Sequence, residues 1–167
     1  MRAMVVFASK HGSTAEVATA LGEALREEGV EVEVADAALA KLPEDVDAVL
    51  LGSAIYMGSW LNSAVDFAIG NSEALRRLPV WLFSVGPLGE APDDEEEQPR
   101  QLATLRDTLE PNDHVLFDGR LDPSLLGFAE RIMIKAVRAP KGDFRRWDLI
   151  RAWGRKVAYE LRASLPR

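Results

Sequence analysis

The residues able to do chemistry are few, and they gather by type. Within six positions, Ser9 to Thr14 (SKHGST), the chain places hydroxyls at Ser9, Ser13 and Thr14, a glycine at Gly12 and an imidazole at His11. Hydroxyls donate hydrogen bonds to an anion, and glycine lets the backbone approach it closely. Set just ahead of a helix, such a loop adds the unpaired amides and partial positive charge of the first turn. That combination is a cup for a phosphate group. The same residues also suit an ordinary helix start with Ser13 or Thr14 as its cap, and the loop alone does not choose.

Much other chemistry is excluded. Cysteine is absent, which removes thiol nucleophiles, iron–sulfur clusters, cysteine zinc sites and disulfides together. The two histidines, His11 and His114, are far apart, and His114 reads as structural at the start of a strand. The acidic run Asp93 to Glu97 reads as a solvated, mobile stretch rather than a metal site. Neither GxxxxGK[ST] nor GxGxxG is present at the first loop, which disfavours a nucleoside triphosphate or a dinucleotide there.

The elements that position the cup follow from apolar patterning. Ala3 to Ala8 (AMVVFA) is a short continuous apolar run, as in a strand buried on both faces. A helix follows over Ala15 to Glu28, with Val17, Ala18, Leu21 and Leu25 at helical spacing. Further strands are predicted at Val30 to Val34, Asp47 to Gly52, Pro79 to Val85 and His114 to Arg120, with helices at Leu61 to Ser72 and Arg100 to Leu109. Loops are expected at 53–60 and 86–99, and two helices fill the tail after Pro123. Strands alternating with helices make an α/β doubly wound five-stranded parallel sheet, helices on both faces. At 167 residues the chain is expected to be a single domain, 1–167, ending in a basic helical segment, 123–167.

SKHGST after the AMVVFA strand and SAIYMGSW after DAVLLG make the chain resemble the flavodoxin-like family, which binds flavin mononucleotide (FMN). The resemblance covers essentially the whole chain and implies the strand order 2-1-3-4-5, for which flavodoxin is the standard example. It implies that Ser9, His11, Gly12, Ser13 and Thr14 bind the flavin phosphate. Ser53, Ala54, Ile55, Tyr56, Met57 and Gly58, with Ser84, Val85, Gly86, Pro87, Leu88 and Gly89, would clasp the ring. Tyr56 is the candidate for stacking on it and Trp60 a weaker one, the alternative for both being packing under the loop. His11 either assists the phosphate or faces solvent. Flavin carries its own redox chemistry, so no catalytic side chain and no metal is required.

The pattern FASKHGST, then GSAIYMG, then the tail GFAERIMIKAVRAPKGDFRRWDLIRAW is similar, more narrowly, to flavodoxin-like protoporphyrinogen oxidases that use a quinone. That likeness implies an oxidoreductase in haem biosynthesis acting on a porphyrinogen or another planar small molecule, with a quinone or a protein as redox partner. A soluble electron-transfer protein and a flavin-free interaction scaffold are the alternatives. Charge is uneven: residues 1–119 hold 8 Lys and Arg against 22 Asp and Glu, and residues 120–167 hold 12 against 5. Arg131, Lys135, Arg138, Lys141, Arg145 and Arg146 surround the apolar residues of the first tail helix, part of which is expected to face the sheet. Peripheral contact with an anionic membrane through 125–146 follows as an expectation, as does simple solvation of a closing helix. No window of 18 apolar residues and no leader-like start are present, so a cytoplasmic protein is expected, lying on the inner face of the membrane where the tail makes that peripheral contact; nucleic acid is not an expected partner.

Overall fold

A computed structural model of the chain describes residues 1–86, 99–122, 124, 127–137 and 142–164. An interior strand of its sheet is β1 (Arg2–Ala8), whose alternate residues feed two separate cores. Ala3 and Val5 point to one face, where they meet Val17, Leu21 and Leu25 of α1 (Ser13–Glu27) and Ile150, Trp153, Val157 and Leu161 of α6 (Trp147–Ser164). Met4 and Val6 point to the other, against Phe67 and Ala68 of α2 (Asn62–Gly70), Leu75 of α3 (Ser72–Leu75) and Leu102, Leu105 and Leu109 of α4 (Leu102–Leu109). A strand apolar at every position is therefore what a sheet covered on both sides requires.

Around β1, strands β2 (Glu31–Asp36), β3 (Ala48–Tyr56), β5 (Val80–Gly86) and β6 (Asp113–Asp118) all pair in parallel, in the order β2-β1-β3-β5-β6. Counting parallel strands alone, this is the expected 2-1-3-4-5. The additional β4 (Ser59–Trp60) is a two-residue return that pairs antiparallel with β3.

The structure corrects several boundaries. Ser53 to Tyr56 continue β3 instead of opening a loop, because β5 pairs with Ser53 and Ala54 and β4 supplies pairing to Ile55 and Tyr56. The helix expected over 61–72 breaks at Asn71 into α2 and α3. The last parallel strand stops at Asp118, and the chain then makes β7 (Arg120–Leu121), which pairs antiparallel with β8 (Gly142–Asp143). The loop expected over 86–99 lies outside the described residues between 87 and 98.

In the tail, α6 begins at Trp147 and closes the sheet, packing along α1. The first tail helix, α5 (Phe128–Val137), lies within the β6-to-α6 connection. Part of its apolar surface was expected to face the sheet; Phe128 at 82% exposure and Ile132 at 54% point outward. The slot on the sheet is already filled by α6.

Candidate functional site

In a parallel sheet every strand ends at the same edge, and the register here places Ala8 beside Ser53 and Ser53 beside Ser84. The segments that leave β1, β3 and β5 therefore start side by side, and ligands of such sheets bind at this edge.

The segment after β1 is the loop that the sequence reads as a phosphate cup. Gly12 is the N-cap of α1, with φ 87°, a left-handed conformation that glycine adopts without strain. Its N–H donates to Ser9 Oγ at 3.0 Å, which closes the turn, and its carbonyl accepts the first helical hydrogen bond from Glu16 N–H at 3.2 Å. No side chain caps α1, so the reading of Ser13 or Thr14 as an ordinary cap is corrected. Instead Ser13 Oγ is buried without a hydrogen-bond partner. A buried hydroxyl left unsatisfied is costly unless a ligand completes it. With the first-turn amides of α1, which have no intrahelical acceptor, and with open space where a Cβ on Gly12 would stand, the cup fits a phosphate monoester.

Glu16 sits in the first turn of α1, where its charge would oppose such a ligand, but it is drawn outward into ion pairs with Arg145 and, at 3.8 Å, Arg120. Arg145 also binds Asp143 at 2.7 Å and lies 4.5 Å over the Trp147 ring. Its side chain is only 5% exposed. The expectation that Arg145 belongs to a basic outer surface is thus corrected: two carboxylates and an aromatic face draw it inward. Arg138 and Lys141 fall outside the described residues, whereas Arg131, Lys135 and Arg146 are exposed.

The second segment is a hairpin. Met57 (φ 55°) and Gly58 (φ 72°) form the two-residue turn between β3 and β4, and positive φ at both positions is what a type I′ turn needs. The turn is clamped from below. Leu61 N–H donates to Ser53 Oγ at 2.9 Å, Trp60 N–H to Gln101 Oε1 at 3.0 Å and Arg100 N–H to the Gly58 carbonyl at 3.3 Å. Ser53 is buried and its hydroxyl donates to the Ala54 carbonyl, so that side chain works inside the protein. Ala54, Ile55 and Tyr56 are half-buried at the strand end, and Met57 stands out at 61% exposure. Trp60 is buried, with its indole N–H on Ser84 Oγ at 2.8 Å. Packing under the hairpin is its position.

From the third segment, Ser84 and Val85 are buried within β5 and Gly86 is half-buried at its end. Ser84 Oγ lies 2.9 Å from His114 Nε2. Arg106 approaches the other ring nitrogen, Nδ1, at 3.5 Å, and arginine only donates, so the imidazole proton belongs on Nε2 and points at Ser84. Burial first, then the Arg106 charge, pushes His114 down to about 4. It is a neutral structural histidine. Pro87, Leu88 and Gly89 lie outside the described residues.

Two residues join the cup that sequence reasoning missed. Lys10 Nζ lies 3.6 Å from the centre of the Tyr56 ring, linking the first segment to the hairpin, and pairs with Glu130 of α5 at 3.0 Å. Tyr56 first, and Glu130 second, hold the Lys10 ammonium above its usual range. His11 Nε2 meets the same carboxylate at 2.8 Å. Lys10 stood within the motif; nothing in the sequence connects it to a glutamate so far along the chain.

The flavodoxin domain model matches residues 4–148. The chain is 23% identical to protoporphyrinogen IX dehydrogenase [quinone] of Escherichia coli (strain K12), across 95% of this chain and 96% of that protein. Among solved structures, a flavodoxin from the domain Archaea shares 20% identity with a TM-score of 0.62, covering 97% of this chain and 99% of its own. Rubredoxin oxygen:oxidoreductase of Desulfovibrio gigas shares 15% with a TM-score of 0.67, covering 99% of this chain and 37% of its own. At these identities the structural likenesses show the fold.

Proposed function

The chain belongs to the flavodoxin domain family, and on that premise we propose that it is an FMN-dependent oxidoreductase built as one domain, oxidising a porphyrinogen and passing electrons to a quinone. The observation that carries the cofactor is the Ser13 hydroxyl, buried without a partner at the first turn of α1. The porphyrinogen and quinone rest on the likeness to the Escherichia coli dehydrogenase along nearly the full length of both chains.

FMN, when bound, supplies the electron acceptance and donation. The chain's own residues do the holding. Ser13 Oγ and the first amides of α1 would take the phosphate, Ser9 keeps the loop closed around Gly12, and Lys10 and His11 flank it with donors. Tyr56, Met57 and Gly58 would face the ring, in a turn that Ser53, Gln101 and Arg100 fix from behind. Fixing that turn in advance lowers the ordering cost of binding.

Among the described residues no helix is long and apolar enough to cross a membrane. Access to a lipid quinone would come from peripheral contact, for which the outward Phe128 and Ile132, with Arg131 and Lys135 on the same stripe of α5, are the supporting observation. The protein would then be cytoplasmic and lie on the inner face of the membrane.

The test is an FMN titration followed by quinone-dependent oxidation of protoporphyrinogen. Stoichiometric flavin uptake with turnover is expected. Uptake without turnover, but with fast electron exchange to a protein partner, would turn the reading into an electron-transfer protein. No uptake at all would leave an interaction scaffold.

A further inference from the structure

We propose that Glu130 is an internal competitor for the phosphate cup: by holding Lys10 and His11 it docks α5 on the loop, and a phosphate monoester entering the cup displaces it and loosens α5. The proposal rests on the cofactor reading for the identity of the monoester, though not for the contact itself.

The geometry is a three-way junction. One carboxylate, its two oxygens divided between two donors, takes Lys10 Nζ at 3.0 Å and His11 Nε2 at 2.8 Å. Both donors belong to the segment that ends at Ser13. Glu130 is itself mostly covered, with a side-chain exposure of 18%. Lys10 first, and His11 after it, keep its carboxyl below the usual range, so the charge is present at neutral pH. A negative group therefore already occupies the donors nearest the cup.

A dianion in the cup changes the balance. It would need the same donors, and it would sit close to a full negative charge that it repels. The cup has further donors to offer the phosphate, the amides of α1 and the Ser13 hydroxyl, that Glu130 does not use. Glu130 has the weaker claim. On α5, Phe128 and Ile132 face solvent, so apolar burial of those two side chains does not hold the helix down. An ion-pair contact that is partly exposed contributes little and is readily exchanged. Linkage makes the effect reciprocal: whatever draws α5 off the loop strengthens phosphate binding by the factor with which phosphate loosens α5.

The experiment uses the full chain, wild type and Glu130→Gln, in two measurements. Flavin fluorescence titration gives the FMN dissociation constant, and amide hydrogen exchange follows α5 with and without FMN or inorganic phosphate. The expected result is FMN binding roughly 3- to 10-fold tighter in Glu130→Gln, where repulsion is gone. Exchange in α5 should rise on adding FMN or phosphate to the wild type, and start high and stay unchanged in the variant. Equal or weaker FMN binding by Glu130→Gln would overturn the proposal and make Glu130 a residue that positions Lys10 and His11. So would exchange in wild-type α5 that is unmoved or slowed by the anion. If the wild type takes up no FMN, the cofactor reading fails by itself, and inorganic phosphate decides the competition: loosening of α5 upholds it, and no change overturns it.

Discussion

The indole N–H of Trp60 donates to the hydroxyl oxygen of Ser84 at 2.8 Å, a buried bond that ties the β3–β4 hairpin to the neighbouring strand β5. The same oxygen accepts from His114 Nε2 at 2.9 Å, so the turn at Met57 and Gly58 is braced through Ser84 to β6. Replacing Ser84 by Ala strips an acceptor from two buried donors at once. Urea unfolding of Ser84→Ala should show a loss of about 1–3 kcal/mol, the cost of leaving a buried polar group unsatisfied. Trp60→Phe, which removes one donor and leaves the hydroxyl with His114, should cost less than Trp60→Ala.

His114 also sets an acid limit. Its folded value lies near 4, below an ordinary value of 6.5, so between these pH values the unfolded chain takes up a proton that the folded chain refuses. Stability from this group is unaffected above pH 6.5, falls as pH drops from there, and reaches its full loss near pH 4. That loss is on the order of 3 kcal/mol. His114→Gln keeps an N–H donor without the titration. Its unfolding free energy should fall less steeply than the wild type's across this window.

Asp143 contributes at still lower pH. Arg145 chiefly holds its carboxyl down to about 2. A depressed carboxylate stabilises above its unfolded value and loses that stabilisation as pH falls from about 4 toward 2. Arg145→Ala should remove the dependence and raise hydrogen exchange in β7 and β8, which Asp143 and Arg120 join by pairing.

Ser13→Ala separates binding from stability. Its hydroxyl has no protein partner, so the variant should be as stable as the wild type or slightly more so in thermal unfolding. FMN binding should weaken by about 10- to 100-fold, the effect of deleting a hydrogen bond to a charged group. A variant both destabilised and unchanged in FMN affinity would place Ser13 in the fold and outside the site.

A Cβ on Gly52 would overlap the Phe83 ring on the adjacent strand. Gly52→Ala should cost about 1–3 kcal/mol through overpacking. Adding Phe83→Leu should recover part of it, and a double-mutant cycle by denaturant unfolding would read the coupling.

For membrane contact, co-sedimentation with anionic vesicles should fall at least roughly tenfold in the double variant Lys135→Glu, Arg146→Glu, since each basic residue near such a surface contributes about 1 kcal/mol. Both side chains are exposed. Arg145 is engaged with Glu16 and Asp143, so Arg145→Ala should leave vesicle binding nearly intact.

The legible parts were local. AMVVFA and most of DAVLLG and PVWLFSV are apolar because both faces of their strands are covered, and their alternation with helices led to the parallel pairing that the register bears out. The proposed cup could be read as a candidate for the same reason: its hydroxyls, glycine and following helix lie within one short stretch of chain. Ser53 to Tyr56 was misread because a strand end and a loop there share the same residues, and pairing with β5 and the return of Trp60 onto Ile55 settle which one forms. The partners of the site were beyond reach. That Glu130 meets Lys10, that Arg145 turns inward to Glu16, and that His114 serves Ser84 depend on how distant segments pack. Composition and periodicity record which side of an element is buried and where the chain turns; which charge finds which is decided when separate elements share one volume.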